Sequence, residues 1–345
     1  MNGEVVVVGA GVSGLTCAVR LLEAGYGVRV LAAERFADDG PLRGSAEGPP
    51  GMCSKRAAAV WYPYAIEPLD RVGDWANRSL THYRELEGRG DNGVSIIRLA
   101  ILFGRRPQAV QWKLLTECKR KVVPVHKLPP GYEVGLRLRV PFIDTTVFLP
   151  FLESRVRELG GTVERCDALA SMDQMRSLGR VVVNCTGLGA MALCGDADMF
   201  PLRGQVLRVQ APGVKRWSVA LPRRGHPIYV FPRTNDCVLG GTEEHGEWGE
   251  RPNEDTLRAI EAACCWLEPV LAEGYGDARA AVGLRPGRKG GVRLETETFA
   301  DSGVIVHNYG HGGAGFTVAW GCADEVTMHV GQQLGSAASP ITPAP

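Results

Sequence analysis

Val5-Val6-Val7-Val8-Gly9-Ala10-Gly11-Val12-Ser13-Gly14 is the stretch that decides the fold of this chain. Four consecutive β-branched residues make the continuous apolar run of a parallel strand buried on both faces. Past the glycines, Leu15, Ala18, Val19, Leu21 and Leu22 recur at helical spacing, Gly25 ends the helix, and Val28-Arg29-Val30-Leu31 forms a second strand. The unit is β-α-β. Gly9, Gly11 and Gly14 meet three needs of its turn: a tight bend, close approach of backbone to a pyrophosphate, and close packing of helix on strand. The helix entrance at Val12 and Ser13 presents free N–H groups and a positive dipole end to phosphates. The glycine spacing alone is a weak signal. Between a four-valine strand and an amphipathic helix it points strongly to a dinucleotide site rather than a merely structural turn.

Glu34 follows the second strand, twenty residues after Gly14. An acid there can accept hydrogen bonds from ribose hydroxyls. Ala32 and Ala33 fill the earlier positions where such an acid often sits, and a surface charge paired with Arg35 is the competing reading.

The 345 residues are 45% hydrophobic and 22% charged, with a formal net charge of +1. That balance is ordinary for a globular chain and gives no electrostatic case for nucleic acid or anionic membrane. The cluster Arg105, Arg106, Lys113, Lys119, Arg120 and Lys121 reads as a solvated face. Ten cysteines occur without a CxxC pair or a Cys/His cluster at ligand spacing, so buried thiols are expected and no metal. No apolar run approaches a bilayer span, and no signal region precedes the first strand. A cytoplasmic protein without membrane or nucleic-acid partners is expected.

Two styles of structure alternate along the chain. Residues 38–52 read as a Gly/Pro/Ser loop and 73–86 as a helix; 96–140 is strand-rich without β-α-β alternation, suggesting an antiparallel region. The β-α-β style returns with a helix over 146–159 and strands at 162–165 and 181–183. A second antiparallel section covers 205–209, 228–231 and 237–240. A helix over 255–271 follows, then a strand at 304–307, the run Gly310-His311-Gly312-Gly313-Ala314-Gly315, and a helix to about residue 330. The division expected is a dinucleotide-binding domain from 1–90, 141–200 and 281–332, a substrate domain from 91–140 and 201–280, and a disordered tail over 333–345.

Several blocks, in this order, resemble the D-amino-acid-oxidase family of FAD-dependent amino acid oxidases. They are Arg56 to Tyr64 (RAAAVWYPY), Val183 to Ala190 (VNCTGLGA), Arg203-Gly204-Gln205, Tyr229 to Arg233 with Gly240-Gly241-Thr242, Gly283-Leu284-Arg285-Pro286, and His307 to Thr317 (HNYGHGGAGFT). The resemblance spans about residues 4–330. It implies an α/β fold: a Rossmann-like FAD domain of glutathione-reductase type, interleaved with an α+β substrate domain on a mixed, twisted sheet. It also implies non-covalent FAD, with contacts from the Gly9–Gly14 turn, Glu34, Arg35, Cys53, Ser54, Ala59, Val60, Thr186, Gly187 and Arg285. The Gly310, Gly312, Gly313, Ala314, Gly315, Phe316 and Thr317 run would hold the flavin.

Each block also has a physical reading. The Gly310–Gly315 run leads into a helix whose N–H groups and dipole can face the flavin N1–O2 edge and favour reduction, and Thr317 can add a hydroxyl donor. His311 reads as an orienting side chain more readily than as a base. Arg285 stands among Val282, Gly283, Leu284 and Pro286, where a guanidinium needs an anion. A substrate carboxylate supplies a bidentate one, and an internal Asp or Glu is the other candidate. The resemblance makes Arg285 the carboxylate ligand and gives Tyr229 a hydroxyl bond to the same group; a core tyrosine is the alternative. Tyr62, Phe231 and Gly313 complete the expected substrate contacts. Arg288 and Arg293 read as surface residues.

The resemblance implies oxidative deamination of a D-amino acid to 2-oxo acid, ammonia and H2O2. A hydride would pass from Cα to flavin N5, with O2 as acceptor, in a monomer or homodimer. A related oxidase or dehydrogenase acting on a secondary amine, an N-substituted glycine or a larger intermediate is the second reading. Two departures from the family pattern bear on substrate. Pro222 to Pro227 carries no lid tyrosine, and Ala314 stands where a bulkier residue is common. Both suggest an open pocket.

Overall fold

The computed structural model describes residues 3–36, 51–63, 66–107, 118–211, 213–300 and 303–335. The Asp38–Met52 loop, Lys113, Tyr64 and the tail beyond Gly335 therefore lie wholly or mostly outside the described residues.

Two sheets organise the chain. The first has six strands in the order 293–298, 304–309, 181–184, 4–8, 27–32, 162–165. All neighbours are parallel except the 293–298/304–309 pair. Glu4–Val8 sits between 181–184 and 27–32, which explains its unbroken valines: Val5, Val6, Val7 and Val8 are all buried. Helix Val12–Glu23 covers one face and packs on helix Gly315–Leu334. The turn between Val8 and this helix works only with glycine. Gly9 has φ +112°, and a Cβ on Gly14 would lie 1.8 Å from the Gly9 carbonyl oxygen.

The second sheet has ten strands. Its main order is 244–245, 199–210, 237–240, 228–232, 217–221, 94–103, 134–143, 59–60; strand 276–288 pairs with 199–210, and 120–123 with 134–143. It is mixed: 217–221 runs parallel to 94–103, and the other pairs are antiparallel. Two features depart from the expected layout. The expected strand-rich middle reaches back to Ala59–Val60, and Gly276–Arg288 lies along Met199–Gln210 for its whole length. Arg285 therefore stands on the second sheet. The helices run from Leu69 rather than 73, and from Glu254 to Leu267, where a short 3-10 turn, Pro269–Glu273, continues the expected helix. Arg105, Arg106, Lys119, Arg120 and Lys121 are exposed as expected.

Asp144 couples the two sheets. It follows strand Val134–Ile143 and caps helix Thr145–Glu158, accepting from Thr146 N–H at 3.1 Å and from the Thr146 hydroxyl at 2.6 Å. Its other oxygen accepts from Thr234 N–H at 3.0 Å, beyond the end of strand Ile228–Pro232. The helix buries Phe148, Leu149, Leu152 and Val156 in the same core as the first sheet. One buried carboxylate thus satisfies donors from a helix entrance and a distant turn. Asp144→Ala would strand these N–H groups and should cost about 2–4 kcal/mol. Urea unfolding checks this; a loss below about 0.5 kcal/mol would remove the coupling role.

Candidate functional site: a dinucleotide cleft ending at Arg285 and Tyr229

The carboxyl ends of the parallel strands open on one cleft of about 600 Å³. At its first end, Gly9, Ala10, Gly11, Val12 and Ser13 form the lip. Val12 N–H donates to Ser54 Oγ at 3.2 Å, which ties the helix entrance to the short helix Cys53–Arg56. Cys53 and Ser54 both line the cleft, as expected. Gly14 does not; it packs behind, against Gly9. Glu34 lines the cleft, but its carboxylate already accepts from Met52 N–H at 2.7 Å and from Lys55 Nζ at 3.3 Å. Glu34 pairs with Lys55, whose ammonium also reaches the Arg35 carbonyl at 2.6 Å. Arg35 is not part of the lining. A carboxylate has more acceptor sites than these two bonds fill, so Glu34 keeps capacity for a ribose hydroxyl.

Across the cleft, Asn184 holds the Thr186–Gly187 turn: its Oδ1 accepts from Thr186 N–H at 3.2 Å and from the Thr186 hydroxyl at 2.7 Å. Thr186 and Gly187 both face the cleft. Asp167, Ala168 and Leu169 join the lining although nothing in the reading above singles them out. Their signal is positional, since they directly follow Thr162–Arg165, a parallel strand of the first sheet.

A second helix entrance faces the middle of the cleft. Gly312, Gly313, Gly315, Phe316 and Thr317 line it at the start of Gly315–Leu334. Gly310 and Ala314 do not; Ala314 is 2% exposed and packs in the core. Its small size therefore leaves no space beside the cofactor position, which corrects the argument for an open pocket drawn from it. Thr317 also departs from expectation. Its hydroxyl donates to the Tyr62 carbonyl at 3.0 Å, so that hydrogen is already used. Ala59, Val60 and Tyr62 line the same stretch of wall.

His311 is buried, with Nε2 at 3.0 Å from Asn308 Oδ1 and Nδ1 at 3.4 Å from Ser13 Oγ. Burial pulls its pKa down to about 4. It is a neutral strut between the two glycine turns, as expected of an orienting residue.

The far end is built on the second sheet. Tyr229 and Phe231 lie on one face of Ile228–Pro232 with their rings stacked at 5.0 Å. Arg285 reaches over from Gly276–Arg288. Its Nη1 donates to Thr242 O at 3.1 Å and approaches Leu202 O at 3.5 Å. Burial raises the pKa of the Tyr229 hydroxyl, while the nearby Arg285 guanidinium opposes the rise. Among the described residues no carboxylate pairs with Arg285. The other arginine in the cleft, Arg56, is neutralised by Glu250 at 2.6 Å. Burial raises the pKa of the Cys53 thiol against the pull of Arg285 and Arg56, so it stays protonated. Arg288 and Arg293, expected at the surface, are half-buried in a polar network: Arg288 pairs with Asp196 at 2.9 Å and Arg293 with Glu295 at 2.6 Å.

Two helix entrances opening on one elongated cleft, with glycine wherever the backbone must come close, fit a dinucleotide; the second entrance fits a further electron-rich group. The architecture is that of a flavin-type oxidoreductase. The chain belongs to the FAD dependent oxidoreductase family DAO, whose model matches residues 4–328. Its cofactor is FAD. It is 38% identical over 338 residues to a D-amino-acid oxidase of Rubrobacter xylanophilus, covering 97% of this chain and 99% of that one. It is 40% identical to a D-amino-acid oxidase of Streptomyces coelicolor, covering 94% and 95%. A human D-aspartate oxidase is 33% identical, covering 99% and 98%. Among solved structures, glycine oxidase from Bacillus cereus aligns with TM-score 0.74 at 16% identity over 97% of this chain and 98% of that one, which shows a shared fold.

The depressed pKa of His311 carries a stability consequence. Between pH 6.5 and about 4 the unfolded chain binds a proton there that the folded chain refuses. Stability is therefore lost as pH falls through that window, and no further loss arises below it. The contribution is about 3 kcal/mol. Urea unfolding at pH 7 and pH 4.5 should show a smaller acid loss in His311→Gln than in the wild type; equal losses would contradict it.

Proposed function

We propose that the chain oxidises a D-amino acid at Cα, yielding the imine that water converts to 2-oxo acid and ammonia. The observation that carries this reading is Arg285: a half-buried guanidinium facing the cleft with no acidic partner among the described residues. A substrate carboxylate is the anion it lacks. The two closely similar relatives described as D-amino-acid oxidases support the same assignment.

FAD supplies the two-electron acceptor, and the protein supplies orientation and electrostatics. Nη1 of Arg285 is committed to backbone carbonyls, so Nε and Nη2 present the free edge for a side-on bidentate carboxylate. Tyr229, near Arg285, adds its hydroxyl. Two fixed oxygens leave the substrate one rotational choice, so Cα is held toward the wall formed by Val60, Gly313 and Thr317. His311 is neutral and spent on Ser13 and Asn308, so it is not placed as a base. The amine therefore reacts in its neutral form.

Val219, Leu221 and Pro227 make the wall beyond Tyr229 apolar, and Glu243 is the acid there. The hairpin over 222–227 is exposed at Arg223 to His226 and offers no aromatic cover. Neutral, larger apolar side chains should therefore be preferred to D-alanine and to D-aspartate. We further propose that the domains follow the two sheets, and that O2 is the electron acceptor. We also propose a cytoplasmic location, which ten free cysteines support. No helix among the described residues is long and apolar enough to cross a membrane.

Purified protein should be yellow and release FAD on denaturation. Arg285→Ala should lower kcat/KM for a D-amino acid by about 30-fold to several thousand-fold, or roughly 2–5 kcal/mol. The amide of the same amino acid should lose far less. Equal losses for acid and amide would make Arg285 structural and reject the assignment.

A further inference from the structure

Both ligands of the proposed carboxylate site lie flat on glycine. Where a Cβ on Gly204 would stand, Nη2, Nη1 and Cζ of Arg285 come within 2.4, 2.5 and 2.6 Å. Gly204 pairs with Gly283 across the 199–210/276–288 ladder, so the side chain of Arg285 runs diagonally back over the neighbouring strand. Where a Cβ on Gly240 would stand, Tyr229 Cζ, Cε2 and Oη come within 2.1, 2.3 and 2.5 Å. Gly240 is the direct cross-strand partner of Tyr229. A Cβ on Gly241 would meet the same hydroxyl at 2.7 Å. Real Cβ atoms do not approach other atoms so closely, so any side chain at these positions displaces the guanidinium or the phenol.

Glycine costs strand stability, because it loses more conformational entropy on folding and has no side chain to pack. Here it sits inside strand Met199–Gln210 at Gly204 and at the end of strand Cys237–Gly240, at the two points beneath the proposed substrate ligands. We propose that Gly204 and Gly240 are positioning residues: by omitting a Cβ they seat Arg285 and Tyr229 on the cleft floor, set their depth below the cofactor position, and turn the Nε–Nη2 edge to the substrate. Gly313 bounds the other side, since a Cβ there would stand 3.6 Å from Arg285 Cδ and 4.0 Å from Nε. The guanidinium is thus confined between the bare backbone of one strand, at Gly204, and that of a turn, at Gly313. A carboxylate, with two coplanar oxygens, matches the Nε–Nη2 edge bidentately.

This inference rests on Arg285 as the carboxylate ligand, and two measurements separate its failure from the failure of that reading. The first is a stability cycle in the FAD-loaded protein. Gly204→Ala should lower Tm by several degrees in the wild-type background. In the Arg285→Ala background the clash partner is gone, and the same substitution should leave Tm unchanged or raise it. Arg285→Lys, which lacks the planar head, gives a second background with the same expectation. Additive losses in both backgrounds would overturn the seat, whatever the substrate. The second measurement is kinetic. Displacing the guanidinium by about an ångström should lower kcat/KM for a D-amino acid by about 100-fold. The loss should come mainly through KM, while the weaker turnover of the corresponding amide stays within about 3-fold. Equal losses on acid and amide, with FAD content preserved, would overturn the positioning role. If Arg285→Ala itself fails to separate acid from amide, the proposed function falls while the Tm cycle still decides the seat.

Discussion

A guanidinium drawn partly out of water, with its carbonyl bonds satisfied but its charge unanswered, is the constraint on which the rest of this structure turns. Leaving such a charge without an anion is costly, and a protein can relieve the cost by building in an aspartate or glutamate. This chain does so for Arg56, Arg203, Arg208, Arg233, Arg288 and Arg293. Arg285, in the same sheet as several of them, is handled differently. It donates to the Thr242 and Leu202 carbonyls and lies near the Tyr229 hydroxyl, so its charge remains available to a ligand. Stability withheld there is returned as binding energy when a carboxylate arrives.

The remainder of the architecture serves that point. The first sheet provides two helix entrances and the glycine turns that let a dinucleotide approach backbone, and neutral His311 braces one turn against the other. The second sheet provides a floor of bare backbone on which Arg285 and Tyr229 can lie. Asp144 ties the two together by capping a helix that packs with the first sheet while accepting from a turn of the second. Reaction geometry thus depends on how the sheets meet, and Arg285 is held by bonds to backbone carbonyls. This is the economy expected where the cofactor carries the chemistry and the protein orients it.

Much of this was legible in the amino-acid order, and for local reasons. Val5–Val8, the glycine turn and the helix after it are encoded within about thirty residues, so their periodicity and spacing identify them without tertiary information. The GHGGAG run was legible in the same way. What escaped was long-range. Residues 281–288 resemble a strand of either sheet; only their pairing with Met199–Gln210 assigns them. Ala314 lies within the glycine run, yet it points into the core while its neighbours face the cleft; spacing gives no direction at a 3-10 turn. Lys55 meets Glu34 because the Cys53–Arg56 helix folds back from a distant point in the chain. Gly204 and Gly240 read as ordinary strand glycines until the side chains crossing them are seen.

The account's central claim is that the cleft's far end is built to accept a carboxylate through Arg285. Its most direct test is equilibrium titration of the flavin absorbance of the FAD-loaded protein with a non-oxidisable planar carboxylate and, separately, with its amide. The structure predicts a saturable spectral change for the carboxylate, at a Kd at least about 30-fold below that of the amide, as one charge-assisted bidentate contact requires. Equal affinities for the two, or an amide that binds the tighter, would contradict it.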